Sequence, residues 1–181
     1  RGLESDGQSV AWLSGGGLVA TGNGGDVRAW SADAVAETAA IDGFANPAAG
    51  GRALCVLADG TLVAATAPGG AVRVVTTTTG VERARFAGVV APLAFDGDAV
   101  WLLTQQATLE CRKLESGVLT ATSVPLPFVP LQGAISVRAG RMVFSDRAGT
   151  LGVVPLTGGA PVTRDSGHTG IWWVALSNDG Q

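Results

Sequence analysis

The sequence predicts an all-β protein built as a series of similar four-stranded sheets, and three observations predict it. Among 181 residues stand 27 glycines and 8 prolines, with 46% hydrophobic and only 15% charged residues between them. Frequent turns between short apolar runs mark an all-β chain rather than a helical or disordered one. The pattern also recurs. Val27-Arg28-Ala29-Trp30, Val72-Arg73-Val74-Val75, Leu109-Glu110-Cys111-Arg112 and Leu151-Gly152-Val153-Val154 follow one another at spacings from the high thirties to the mid forties, about 42 residues on average, a repeat period.

Within each period the elements follow in one order. The runs Leu18-Val19-Ala20-Thr21, Leu62-Val63-Ala64-Ala65, Val100-Trp101-Leu102-Leu103 and Met142-Val143-Phe144 are almost continuously apolar. A strand reads this way when both of its faces are buried. Turns precede these runs at Ser14-Gly15-Gly16-Gly17, Asp59-Gly60, Asp96-Gly97-Asp98 and Ala139-Gly140, and the Asp-Gly pair suits a tight hairpin with positive φ. A second set follows at Gly22-Asn23-Gly24-Gly25, Pro68-Gly69-Gly70, Gln105-Gln106 and Arg147-Ala148-Gly149. A third closes the next strand at Gly80, Gly117 and Gly158-Gly159. Outer strands then alternate polar and apolar, as in Val81-Glu82-Arg83-Ala84-Arg85-Phe86. The segment 32–40 has helical propensity but is expected as a loop and outer strand. Thr76-Thr77-Thr78-Thr79 reads as a loop or strand end, and Pro125-Leu126-Pro127-Phe128-Val129-Pro130 as a stiff extended connector.

Two segments carry more specific motifs. Residues 167–181 (GHTGIWWVALSNDGQ) open on Gly167-His168, continue through the apolar run 171–176, and reach the turn Asn178-Asp179-Gly180. Residues 8–31 supply strand, turn, strand, turn and strand, ending at Trp30. Together they resemble a WD40 repeat, whose blades begin with a Gly-His pair and reach an Asp-Gly turn. The resemblance implies a WD40-like β-propeller of about four blades, approximately 8–48, 49–90, 91–132 and 133–166, with the first strand of a fifth at 167–181. Blades two to four keep the spacing without the tryptophan and the Gly-His pair. WD40 rings usually hold seven blades, so the resemblance implies an incomplete ring or a fragment of a larger propeller. Three readings of the ring stand open. Further blades belong to a longer protein, two chains join into one ring, or residues 171–177 complete a blade at the N-terminal side.

By the same resemblance His168 and Trp30 are expected to lock hairpins within a blade. Trp12, Trp30, Trp101, Trp172 and Trp173 are expected mostly in the core, with one of Trp172 and Trp173 pointing outward as a candidate anchor for a partner. No catalytic residue is assigned: His168 is the only histidine, and a base needs a nucleophile and an orienting acid within reach. A propeller enzyme with a site at the central channel remains the alternative, and would need Asp98, Glu110, Arg112 and Asp146 to converge. No metal site and no cofactor are expected, since one histidine and two separate cysteines give no zinc spacing. Cys55 and Cys111 read as buried thiols acting as small hydrophobes, which fits a reducing compartment.

The net charge of -3 and the scatter of 12 basic residues show no clustered basic footprint for nucleic acid, although folding could gather Arg28, Arg73 and Arg112. No run approaches the roughly 20 apolar residues that cross a bilayer, and residues 1–6 lack the apolar core of a signal peptide. The expected function is a non-catalytic scaffold or sensor that binds a protein or peptide. It would serve a larger bacterial signalling or defence protein in the cytoplasm, with a second chain or further blades completing the ring.

Overall fold

The computed structural model describes residues 7–13, 16–22, 26–31, 33, 36–44, 54–120, 123–171 and 174–177. Among these, sixteen strands form four antiparallel sheets of four, each in chain order, and no helix occurs. The first sheet holds β1 (Gly7–Trp12), β2 (Leu18–Gly22), β3 (Asp26–Trp30) and β4 (Glu37–Asp42). The second holds β5 (Leu54–Val56), β6 (Leu62–Ala67), β7 (Ala71–Thr76) and β8 (Glu82–Ala87). The third holds β9 (Val89–Asp96), β10 (Ala99–Thr104), β11 (Thr108–Lys113) and β12 (Val124–Pro125). The fourth holds β13 (Gln132–Ser136), β14 (Arg141–Ser145), β15 (Thr150–Pro155) and β16 (Val162–Asp165). The helix-prone segment ends in β4, as expected of an outer strand, because its Ala39 and Ile41 have an apolar seam to cover.

The first strands sit together. β5 packs against both β1 and β9, and β9 packs against β13. The sheets therefore radiate as blades, with apolar seams between neighbours. Val19, Val27, Ala29 and Ile41 of blade one meet Leu54, Val63, Ala65 and Val75 of blade two. Ala64, Val72, Val74 and Phe86 meet Val89, Val100 and Leu102 of blade three. Trp101, Leu103, Leu109 and Cys111 meet Met142, Phe144 and Val154 of blade four. The second strands of the two inner blades, β6 and β10, serve two seams at once. Along β10, Val100 and Leu102 point one way, Trp101 and Leu103 the other, and every residue of the strand is buried. Burying one such side chain contributes about 1.5–3 kcal/mol.

No core joins blade four to blade one among the described residues, so the arc is an unclosed ring. Blade one holds four strands of its own, and the described residues 171 and 174–177 add none to it. Ile171 instead lies beside blade four, where its carbonyl accepts a hydrogen bond from Ser145 Oγ at 3.4 Å. Ile171 and 174–177 enter no ladder.

The hairpin turns close as their residues demand. Gly60 takes φ 76° in the Asp59-Gly60 turn, and Asp59 Oδ1 accepts from the Thr61 N–H at 2.9 Å. At the equivalent of a glycine turn in blade three, Ala107 takes φ 56°, a left-handed conformation that costs a side-chain-bearing residue roughly 1–2 kcal/mol. One charged clamp crosses the first seam. Arg73 on β7 donates to the carbonyls of Asp42 at 2.9 Å and Gly43 at 3.2 Å. Its guanidinium lies 4.8 Å from the Phe44 ring centre, within cation–π range. Glu82 on β8 holds that guanidinium at 2.6 Å and also pairs with Arg85 at 3.0 Å.

This packing makes stability sensitive at two places. A Cβ at Gly152 would collide with the Phe144 ring, and that ring is pinned edge-on against Phe128 at 5.5 Å. Gly152→Ala is therefore expected to lower stability by about 1–3 kcal/mol, read as a lower denaturant midpoint at unchanged slope. The second place responds to acid. Arg85 and Arg73 hold the Glu82 carboxyl below its ordinary value of 4.5. A depressed folded pKa adds stability that is present above the unfolded value and lost as the pH falls through the folded one. Wild-type melting temperature should thus drop more steeply below about pH 5 than that of Glu82→Gln; identical acid limbs would contradict the clamp.

Candidate functional site

A groove of about 310 Å³ opens at the seam between blades two and three. Leu57, at the hairpin entering β6, and Leu62, which begins that strand, form one part of its wall with Leu114 after β11. Leu114 is fixed there by its N–H bond to the Asp98 carbonyl at 2.9 Å. Arg83, Asp98 and Glu115 stand at the polar rim. Arg83 occupies a bulge: Val74 pairs with Ala84 and Val75 with Glu82, so Arg83 has no cross-strand partner. Bulges re-aim a side chain. Glu82 is committed to Arg73 and Arg85, and no carboxylate lies within ion-pair reach of Arg83 among the described residues. Asp98 meets Lys113 at 3.7 Å, both well exposed, a contact worth little.

A second surface lies at the free side of blade one. Ala11 and Leu13 pack into the first seam, and strand alternation sends Val10 and Trp12 to the opposite face. Both are exposed. Cross-strand register continues that face through Ala20 to Arg28 and through Leu18 to Trp30. Arg28 bonds Asp26 at 3.2 Å and Glu37 at 3.3 Å, and the Asp26 bond raises its pKa above the ordinary value. Asp26 Oδ1 and Glu37 Oε2 are buried without a hydrogen-bond partner. Trp12 thus departs from its expected place in the core, because the face it stands on has no neighbouring blade among the described residues. Trp101 is buried in the third seam as expected.

The arginines that folding could have gathered stay apart. Arg28 pairs in blade one, Arg73 in blade two, and Arg112 with Glu110 in blade three. Nor do the residues whose meeting would mark an enzyme come together. Glu110 serves Arg112 at 2.7 Å. Asp146 accepts the Thr150 N–H at 2.8 Å in its own turn, which holds its carboxyl below the ordinary range. Of that set, only Asp98 lines the groove. Among the described residues no group of three or more His, Cys, Asp or Glu is placed to hold a metal ion.

His168 is exposed in the turn after β16. Its N–H donates to Ser166 Oγ at 3.1 Å, and the Gly167 N–H donates to Asp165 Oδ1 at 2.8 Å. Trp30 is half-buried at the end of β3, opposite Leu18. Trp172 and Trp173 lie outside the described residues. Cys55 and Cys111 are buried thiols in different seams, and burial pushes the Cys111 thiol up. Sequence reading missed Arg83, since nothing in a string of residues announces a bulge. It also missed the exposure of Val10 and Trp12, although their period-two spacing on β1 was there to read.

No protein-family profile matches the chain, and no curated protein matches it. Solved structures do. A chain of the mitotic checkpoint complex is similar at TM-score 0.78 and 12% identity, over 99% of this chain and 58% of that one. The β-propeller domain of Cps50 (Swd1) from Myceliophteria thermophila is similar at TM-score 0.73 and 10% identity, over 98% and 60%. The WD40 repeats of RRP9 are similar at TM-score 0.73 and 12% identity, over 94% and 54%. The chain spans little more than half the length of these structures. At such identities the likeness concerns fold alone: the described residues form a β-propeller arc of four blades similar to these WD40 structures.

Proposed function

We propose that the chain is a non-catalytic scaffold that presents a rigid arc of blades to a protein or peptide partner. One observation carries this reading: Val10 and Trp12, 66% and 72% exposed, stand on an innermost strand. In blades two and three that strand is covered from both sides, with Leu54 in one seam and Cys55 in the next, and Val89 in one and Leu93 in another. An exposed apolar patch marks an interaction site, and tryptophan dominates binding energies where it is buried at an interface. The fold supports the same reading, since one of the similar chains belongs to the mitotic checkpoint complex. The internal pairing of Glu110, Arg112 and Asp146 supports a scaffold over an enzyme.

We assign the chain to a larger bacterial signalling or defence protein, as a sensor module in the cytoplasm. Its lack of tyrosine among 181 residues with 27 glycines supports the bacterial source, and its two buried thiols fit a reducing compartment. The same open face favours a second reading, in which further blades or a second chain cover it. The far face of blade four is open too, at Val153 and Val162.

Light scattering and apolar-dye fluorescence test both readings. The wild-type chain is expected to bind dye or to associate. Trp12→Ser should weaken either effect about tenfold while leaving the circular dichroism spectrum unchanged. A monomer that binds no dye and is indifferent to the substitution would overturn the proposal.

A further inference from the structure

The geometry points to the groove between blades two and three as a docking site for an extended peptide that places an apolar side chain between an acidic and a basic one. This deepens the scaffold reading and rests on it. Three observations combine. The apolar wall of Leu57, Leu62 and Leu114 bounds about 310 Å³, near the lower limit for ligand sites; the space suits one large side chain with its flanking backbone rather than a bulky cofactor. The rim carries Arg83 against Asp98 and Glu115; Asp98 faces Lys113 at 3.7 Å, and Arg83 and Glu115 are the charges that the fold leaves unspent. Among the described residues Arg83 has no carboxylate within ion-pair reach, and Glu115 has no cation.

The third observation comes from the repeat itself. Blade one has the same bulge at the same place: Ala29 pairs with Ala39 and Trp30 with Glu37, so the extra residue is Thr38. Blades one and two thus share the bulge, and an uncharged, exposed threonine satisfies it in blade one. An arginine is therefore not a requirement of the backbone at this position. In blade two it supplies a cation turned out of the Glu82 pairs and toward an apolar wall. Charge complementarity then selects the occupant. A carboxylate of the peptide meets Arg83, a leucine-like side chain covers the leucines, and an ammonium or guanidinium of the peptide meets Glu115.

The test uses fluorescein-labelled peptides with Asp-Gly-Leu-Gly-Lys or Lys-Gly-Leu-Gly-Asp at the centre of Gly-Ser spacers, and the same peptides with serine in place of leucine. Anisotropy is expected to show that one charge order binds the whole chain better than the other, and only with leucine present. Arg83→Glu should weaken that peptide about tenfold, the combined loss of an attraction and gain of a repulsion. The double variant Arg83→Glu with Glu115→Arg should favour the opposite charge order. Leu62 and Leu114 stay untouched in these variants, and thermal melting verifies their fold. Equal binding of leucine and serine peptides, or wild-type affinity in Arg83→Glu, would overturn the groove. A partner or second copy held through Trp12 but indifferent to Arg83→Glu would preserve the scaffold reading while overturning this one.

Discussion

Everything in this arc depends on burying the second strands of its inner blades, β6 and β10, from two sides. β6 and β10 have no face to spare for water, so apolar residues fill both sides of the pleat, with Thr66 and Thr104 the buried exceptions, and they are stable only between two neighbouring sheets. A lone four-stranded sheet with such a strand would leave one apolar face bare. Radial packing supplies the second cover, and each added blade buries the exposed side of the one before it. The construction is a nearest-neighbour one: Val100 and Leu102 answer to blade two, Trp101 and Leu103 to blade four. Its unavoidable consequence is that an open arc carries uncovered faces at its ends.

Charge is handled within this frame rather than apart from it. Arg28, Arg73 and Arg112 each stand on a third strand and each finds an acid on its own sheet. Arg73 goes further and ties the seam, donating to the carbonyls where the chain leaves blade one. Ionic groups used in this way hold the sheets and tie the seam together. What the blades leave over is different in kind. Among the described residues it is an apolar face with a tryptophan at one end, and a leucine-walled groove at a seam whose Arg83 and Glu115 stay outside the ion pairs. Both are held in place by the same seams that hold the fold.

The repeat also separates structural necessity from embellishment. Bulges recur at the entry to β4 and β8, while β15 and β16 pair without one, so an outer strand is built either way. The residues they carry differ in charge and reach: Thr38 is short and neutral, Arg83 long and cationic. Blades of one chain thus serve as controls for one another, and a feature present in only one of them is free to answer to something other than the backbone.

Much of the architecture was legible in the residues. Period-two and all-apolar runs pointed to strands, Asp-Gly and Gly-Gly pairs to turns, and the roughly 42-residue recurrence to a repeated sheet, because these are local properties of backbone and pleat. The buried state of Cys55 and Cys111 was legible for the same reason. The fate of a face was not. Val10 and Trp12 look like core to any reading of composition, since alternation says that they share a side but not whether anything lies against it. Arg83 looks like one more polar residue of an outer strand, because a bulge is a register mismatch between two strands and has no existence in either alone. The chain by itself determined which segments are strands and how often they recur, through φ/ψ preference and hydrophobic pattern. Only the tertiary packing decided which apolar faces are covered and which charges are left without a partner, because those depend on neighbours that sequence distance does not encode.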